Sequence, residues 1–359
     1  MSNQVSNEDL ERIILEAAKK INIEYAAHTA PMYSLAEILA LKNVTALRKL
    51  GKTMRVKDYG KLPKSPLISI IAETLQQADN LRTCLFAIDG IEWDFFQKTA
   101  AKKYLQTDKV YIDSYSTSQN LGLLQSFYFE GKLFFVVPDE IKAAYRELVE
   151  TGFPEEKRFR DLLNSYAIAA VSLYGAISQD DFVALFNNQN DRQTSIDEMF
   201  SILLDYVYVD AGYCFWDEYI VDSDFEEDDF QGVPHLLAKR KGKPRYTPPR
   251  DEFLKYSDWD YYEITPQIAA LKSHLSELIS DPESVLDTLD EIHDMCATEA
   301  RMQEYFELLD AAGVVFDSME QAGVTTRLII DVQNNTRLWS NYGHIGIGCR
   351  GWGKARAWP

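Results

Sequence analysis

The chain contains two stretches in which predicted helices lead into a predicted β-hairpin, and this duplication constrains its fold more than any other feature. The first hairpin is predicted over 125–137, where two runs rich in aromatic and β-branched residues flank the turn Glu130-Gly131. The second hairpin is predicted from Val207–Val209 and Tyr213–Val221, joined by Asp210-Ala211-Gly212. An isolated hairpin is barely stable in water, so each pair of strands is expected to pack against the helices around it.

The helices near the hairpins follow the same order in both stretches. One apolar helical pattern begins at Ile91 and another at Ile177, 86 positions later. After each hairpin a helix begins with acidic residues, at Pro138-Asp139-Glu140 and at Ser223-Asp224. Tandem copies of this order are typical of winged-helix units, and an unrelated α+β body with similar hairpins is the alternative. The predicted fold class is mainly α with small β-hairpins (α+β).

Basic residues are concentrated in one short window of an acidic chain. Eight lysines and arginines against the single acid Asp58 give residues Lys42–Pro66 a net charge of +7, whereas the whole chain of 359 residues carries −19. The rest of the chain therefore carries −26. This segregation predicts a small basic module attached to an acidic body.

The basic window has the pattern of two short helices joined by an extended turn at Tyr59-Gly60. Leu47 and Leu50 are expected to be buried by the first helix, and Leu67 and Ile71 by the second. Lysine and arginine suit phosphate contacts, and an exposed tyrosine suits stacking on a base. The predicted nucleic-acid-binding residues are Arg48, Lys49, Lys52, Arg55, Lys57, Tyr59, Lys61 and Lys64. The alternative is that these cations dock the module onto the acidic body of the same chain.

The module also resembles the N-terminal domain of the transcription termination factor Rho. That family has a helix with L-R-x-L-A-x, a turn with G-Y-S-K-L-x-K and a helix with L-I-x-x-I. Here Leu47–Leu50, Val56–Leu62 and Leu67–Ile71 take these places, with Asp58 for glycine and Gly60 for serine. The resemblance covers about 35 of the 359 residues. It implies a SAP-type helix–loop–helix fold that contacts nucleic acid, although the neighbouring OB fold that reads sequence in Rho is not recognisable here.

No group of residues in the chain predicts catalysis, a cofactor or a metal. Gly346–Gly351 matches G-x-G-x-x-G, but the eight residues after it are too few for the helix and strand of a dinucleotide site. The P-loop and G-x-S-x-G motifs are absent. His293 and Cys296 lie three residues apart on a predicted helix, but Cys296 belongs to its apolar stripe, which favours a core position over a ligand. We therefore predict a non-enzymatic protein with no cofactor and no metal.

The remaining segments complete the predicted organisation. An acidic run at 222–229 and a basic, proline-containing run at 239–250 indicate a solvated connector, and Asp281-Pro282 is a strong helix start. We divide the chain into an N-terminal helix (1–34), the basic module (35–77), two winged-helix-like units (78–158 and 159–238), a charged connector and helix (239–280), a C-terminal helical segment (281–344) and a disordered tail (345–359).

The end of the chain differs from the rest. Asn334–His344 is similar to a segment near the end of Firmicute proteins with Rho-N-like or zinc-binding SEC-C modules, in which N-N-T-R-x-W-x-N-x-G-H precedes T-P-x-E-L. Ile345 stands where that pattern has threonine, and residues 345–359 contain glycines, tryptophans and no acid. We interpret the break as a shifted reading frame or a truncation. Cys349 stands alone there, so the clustered ligands of a SEC-C zinc site are not predicted.

Four scattered cysteines, an N-terminus without a signal-peptide pattern and the absence of a long apolar run predict a cytoplasmic protein without membrane contact. The leading hypothesis is a nucleic-acid-binding protein associated with transcription or its termination, whose partner is DNA or RNA held through the phosphate backbone. The runner-up is a protein–protein adaptor whose acidic, aromatic-rich body binds the partner. An uncharacterised enzyme ranks third.

Overall fold

The structure is a computed structural model that describes residues 7–208 and 211–346. The chain divides into two compact units, which we call unit 1 (residues 1–161) and unit 2 (residues 162–359). The described part is mainly helical, with two small antiparallel sheets of three strands, so the predicted α+β class is confirmed. Every helix within the described ranges is too short or too polar to cross a bilayer.

Unit 1 is built from helices with one small sheet. Its helices are α1 (Asn7–Tyr25), α2 (Leu35–Leu41), α3 (Val44–Thr53), α4 (Lys64–Leu75), α5 (Ala78–Phe86), α6 (Gly90–Ala100), α7 (Ser116–Asn120) and α8 (Asp139–Glu150). Its strands are β1 (Leu105–Gln106), β2 (Gln125–Phe129) and β3 (Lys132–Val136). Helix α9 (Phe153–Tyr174) contains the boundary between the units.

The first predicted hairpin is confirmed. Strands β2 and β3 pair in antiparallel register from Gln125 opposite Val136 to Phe129 opposite Lys132. The turn residues Glu130 and Gly131 both have positive φ, 48° and 75°, as the tight turn of a two-residue hairpin requires. The two-residue strand β1 pairs with β3 and gives the sheet the order β1-β3-β2. A strand of two residues has no periodicity, so it was not predictable from the sequence.

Unit 2 contains a second small sheet and a C-terminal group of helices. Its strands are β4 (Ala176–Ser178), β5 (Tyr213–Trp216) and β6 (Tyr219–Asp222), in the order β4-β6-β5. Its further helices are α10 (Gln179–Gln189), α11 (Ile196–Val207), α12 (Gly232–Lys239), α13 (Arg250–Phe253), α14 (Pro266–Leu278), α15 (Pro282–Thr298), α16 (Met302–Ala311) and α17 (Met319–Asn335).

The second hairpin was predicted at the wrong place. The strand predicted at Val207–Val209 is wrong at its first residue, because Val207 is the last residue of helix α11. That helix is capped at its start by Ser195, whose side chain accepts a hydrogen bond from the Glu198 N–H. Val209 lies outside the described residues. The actual turn lies at Asp217-Glu218, between β5 and β6, where Asp217 adopts positive φ.

The predicted pairing of helices between the two copies is also wrong. Ile91 lies in α6, before β1, and is 68% exposed, whereas Ile177 lies in β4 and is buried. Only a 3-10 turn and the five-residue α7 separate β1 from β2, while two full helices, α10 and α11, separate β4 from β5. The two sheets therefore share their strand order, and the helices between their strands differ in length.

The C-terminal helices agree with the prediction. Asp281 accepts a hydrogen bond from the Ser284 N–H at 2.9 Å at the start of α15. The apolar stripe of that helix, to which Cys296 was assigned from the sequence, is buried and consists of Val285, Leu289, Ile292 and Cys296. At the other end of the chain, α1 forms as predicted, but its Ile14 and Ile21 are exposed. Of the tail, Ile345 forms an antiparallel bridge with Arg337, and residues 347–359 lie outside the described residues.

Candidate nucleic-acid interface

The basic module has a well-packed scaffold of three helices, α2, α3 and α4. The predicted core positions Leu47, Leu50, Leu67 and Ile71 are all at most 3% exposed. Helix α3 begins at the cap Asn43, whose side-chain oxygen accepts a hydrogen bond from the Ala46 N–H at 2.8 Å. Because its leucines are buried on one face, the polar residues of α3 are left on the opposite face.

Helix α2 was not predicted, although Ser34 and Glu37 have the spacing of a capping box. In the structure the cap comes from a distant residue. Glu140 accepts hydrogen bonds from the Leu35 N–H at 2.8 Å and from the Ser34 hydroxyl at 3.3 Å. The module is therefore anchored to α8 within unit 1.

The turn between α3 and α4 is held close to α3. Met54 and Val56 are buried, and the Val56 N–H donates a hydrogen bond to the Gly51 carbonyl at 2.8 Å. A Cβ atom placed on Gly51 would lie 3.0 Å from the Cβ atom of Tyr59. Glycine at position 51 thus allows the turn to approach the helix.

We expect Gly51→Leu to lower the free energy of unfolding by about 1–3 kcal/mol, because a leucine side chain there overlaps Tyr59 and Leu67. Urea unfolding followed by circular dichroism measures the effect. Gly60→Leu is the matched control, because a Cβ atom at Gly60 meets nothing within 4 Å. Equal stability of the two variants would contradict the close approach at Gly51.

The structure exposes all seven lysines and arginines that the sequence predicted for the interface. Lys61 lies 4.0 Å from Asp58 in a solvent-exposed pair, and the Lys64 ammonium donates a hydrogen bond to the Ala40 carbonyl at 2.7 Å. Among the described residues of unit 1, the side chains of the other five have no hydrogen-bond or ion-pair partner: Arg48, Lys49, Lys52, Arg55 and Lys57. These five cations are therefore free to meet anions from another molecule.

Several basic residues elsewhere in unit 1 form ion pairs. Lys19 pairs with Asp108 at 2.7 Å, Arg82 pairs with Glu156, and Lys157 pairs with Asp161 at 2.7 Å. Other lysines outside the module, such as Lys98 and Lys132, are exposed and have no ion-pair partner among the described residues. The module differs in that its five free cations lie close together in the sequence, between Arg48 and Lys57, and none of them docks onto a described acidic residue of unit 1.

Two residues of the basic window are not free surface groups: Tyr59, which was predicted for the interface, and Lys42, which was counted only in the charge of the window. Tyr59 was expected to be exposed, but it is half-buried and packs against the core of unit 1 because its Cβ atom lies against α3. Lys42 is also half-buried, and its ammonium group donates a hydrogen bond to the Gln119 carbonyl at 2.7 Å. Burial lowers the pKa of Lys42 to about 8. Lys42 is therefore a structural cation of unit 1.

Cys296 and His293, the two residues considered as metal ligands, make different contacts in the structure. Cys296 is fully buried in the helical core of unit 2 and accepts a hydrogen bond from the Tyr305 hydroxyl at 3.4 Å. His293 stacks on Tyr262, with ring centroids 4.7 Å apart. Across residues 7–208 and 211–346, no three His, Cys, Asp or Glu side chains are grouped so as to hold a metal ion.

No family model, no curated protein and no solved structure matches this chain. The resemblance of the module to the Rho N-terminal domain therefore stays a prediction.

Proposed function

We propose that this chain is a non-enzymatic nucleic-acid-binding protein that holds the phosphate backbone of DNA or RNA through its basic module. The observation that carries the proposal is the set of five exposed, unpaired cations on α3 and the following turn. They stand on a scaffold whose core side chains are buried, so their positions are fixed by the helices rather than by a mobile tail. Lysine and arginine fixed in this way suit contacts that position a protein on a backbone.

The acidity of the rest of the chain shapes how this binding works. A net charge of −19 repels a polyanion at long range, so attraction is confined to the short range of the module. At physiological ionic strength, salt screens both the repulsion by the net charge and the attraction by the module beyond about 8–10 Å. We expect weak binding that depends steeply on salt and discriminates little between sequences.

We further propose that the two sheet-bearing regions are winged-helix-like units. In each, the first strand pairs with the second strand of the hairpin, and a helix precedes the first strand. The helix before the hairpin in unit 2, α11, carries Asp197, Glu198 and Asp205. An acidic helix is unsuited to a DNA groove, so the proposal assigns nucleic-acid contact to the basic module alone.

The test is a binding titration with random single- and double-stranded DNA and RNA over a salt series. If about four cations neutralise duplex phosphates, log affinity falls with log salt concentration with a slope of about −3.6. The double variant Lys49→Glu/Lys57→Glu should abolish binding and leave the melting temperature nearly unchanged, because both side chains are exposed and unpaired.

The matched control is Lys98→Glu/Lys132→Glu, which changes the net charge by the same amount at exposed positions of unit 1 outside the module. Retained binding in the control and loss in the module variant support the proposed site. Equal losses in both would show that only overall charge matters and would contradict it.

One observation favours the adaptor as a second candidate function. Helix α11 and its C-cap present apolar side chains at intervals of four to eight residues, with Ile196 37%, Phe200 39% and Tyr208 78% exposed. Aromatic residues are enriched in surfaces that bind proteins. Absence of nucleic-acid binding at low salt would favour this function over the first.

A further inference from the structure

Unit 2 contains a cavity of about 310 Å³, of the size that holds a small organic molecule. Six segments of the sequence line it: the end of α9, Gly212 before β5, the end of β6 with the turn after it, residues 256–268, the last turns of α15, and the end of α17 with the residues after it. None of the sequence motifs discussed above predicts it, because each segment contributes only a few residues.

Aromatic side chains form much of the cavity wall, including Tyr256, Tyr261, Trp259 and Trp339. The Trp339 indole N–H donates a hydrogen bond to the Ser172 carbonyl at 3.0 Å, which fixes the orientation of that ring. Trp259 is 52% exposed and lies directly over Gly212, where an added Cβ atom would be 2.4 Å from the ring. The cavity thus has one fixed aromatic wall and one accessible aromatic wall.

The cavity also holds an excess of carboxylates. Asp222 is 7% exposed, and its Oδ1 atom accepts a hydrogen bond from the Asp224 N–H at 3.0 Å. Within the described residues its Oδ2 atom has no hydrogen-bond partner, and no cation lies within ion-pair distance. The exposed side chains of Asp224, Asp258 and Asp294 also line the cavity.

The single arginine in the lining does not balance this charge. Arg337 lies 2.8 Å from Glu263 and also donates a hydrogen bond to the Tyr256 hydroxyl at 3.0 Å. Its guanidinium group stacks over the Tyr246 ring, 3.7 Å from the centroid. Arg337 is thus fully engaged. Asp294 lies 3.4 Å from the His293 ring, and within the described residues the carboxylates of Asp222, Asp224 and Asp258 have no basic partner.

Buried or crowded carboxylates next to aromatic rings favour a cationic ligand, through charge-assisted hydrogen bonds and cation–π contacts. The described carboxylates do not converge in any group that could hold a metal ion. Separated carboxylates suit several ammonium groups spaced along a flexible chain, and aromatic walls suit the methylene groups between them.

We propose that this cavity binds an aliphatic polyamine, with one ammonium group on Asp222 and the others on the exposed carboxylates. The proposal concerns unit 2 and is independent of the nucleic-acid interface in unit 1.

The surroundings of Asp222 define how pH acts on this site. The charged and titratable groups that line the cavity with it are Asp224, Tyr256, Asp258, Tyr261, Glu263, His293, Asp294 and Arg337, and the negative charge of Asp222 also acts on the Cys214 thiol of β5. Burial, together with the negative charges of Asp224 and Asp294, raises the pKa of Asp222 to about 7. Burial also raises the pKa of the Cys214 thiol to about 12, so that group stays neutral near pH 7. An ammonium ligand therefore binds more tightly at pH 8 than at pH 6, where Asp222 is mostly protonated.

The experiment is isothermal titration calorimetry of the full chain with spermidine at pH 8 and low salt. We expect saturable binding of one spermidine per chain, a loss of at least tenfold in affinity for Asp222→Asn, and a loss of about fivefold for Trp259→Ala. The charge-matched control is Glu227→Gln, because Glu227 is exposed on the 3-10 turn that follows β6 and does not line the cavity. This variant should bind spermidine as the wild type does.

Three outcomes would overturn the proposal. The first is an equal loss in Glu227→Gln and Asp222→Asn, which would show diffuse attraction to an acidic surface. The second is non-saturable binding. The third is that millimolar Mg²⁺ competes with spermidine equally well in the wild type and in Trp259→Ala. That result would show that the site recognises only charge. If Asp222→Asn does not fold, Trp259→Ala still tests the site, because that ring is half exposed.

Discussion

Asp161→Ala is expected to lower the free energy of unfolding by about 3–5 kcal/mol, because it leaves a buried ammonium group without its counter-charge. Lys157 is fully buried, and its Nζ atom lies 2.7 Å from Asp161 Oδ1, 2.8 Å from Oδ2 and 2.7 Å from the Ile88 carbonyl oxygen. Burial lowers the pKa of Lys157, and the negative charge of Asp161 opposes that shift. Removing the carboxylate thus removes the main group that stabilises the charged lysine.

Two further variants separate the ion pair from simple packing. Lys157→Met keeps an unbranched side chain of similar length in place of the ammonium, and Asp161 retains access to water because its side chain is 24% exposed. The double variant Lys157→Met/Asp161→Leu should be closer to wild-type stability than Asp161→Ala, since neither charge is then buried alone. Urea unfolding measures all three. If Asp161→Ala lowers the free energy of unfolding by less than about 1 kcal/mol, this pair contributes no more than a surface ion pair does, which would contradict the expected effect of burial.

The two hairpins show what local sequence determines and what it does not. Glu130-Gly131 stands between two β-rich runs, and glycine at a positive-φ position makes the turn readable from the sequence. In the second copy the valines after Tyr206 favour a strand locally. Burial of Met199, Ile202 and Leu203 instead keeps this region helical through Val207, so tertiary packing overrides the local preference.

The two candidate sites differ in the same way. The basic module lies in one window of the sequence, so its charge could be counted and its helices α3 and α4 located from the sequence, although α2 was not predicted. The half-buried state of Tyr59 could not be predicted from the sequence, because it depends on the contact of the turn with Gly51. The cavity of unit 2 combines residues from Ser172 to Trp339, and no single segment carries its chemistry. Sites of that kind become visible only when the fold brings the segments together.

The buried carboxylate of Asp222 predicts an unusual dependence of stability on pH. In the unfolded chain the pKa of an aspartate is about 4, and in the folded protein that of Asp222 is raised to about 7. Between these values the folded state binds a proton that the unfolded state has lost. The contribution of Asp222 to stability is therefore complete below about pH 4 and decreases as pH rises through 7, since stability falls with pH wherever the folded state binds more protons.

Asp222→Asn removes this dependence and keeps a side-chain oxygen that accepts the hydrogen bond from the Asp224 N–H. A shift of this size corresponds to at most about 4 kcal/mol, of which about 3 kcal/mol falls between pH 5 and pH 8. We expect the variant to gain about 3 kcal/mol relative to the wild type over that interval, measured by urea unfolding at each pH. His293 and the other acids are present in both proteins, so their direct contributions largely cancel in the difference. A difference that stays constant from pH 5 to pH 8 would show that Asp222 is already ionised in the folded state at pH 5.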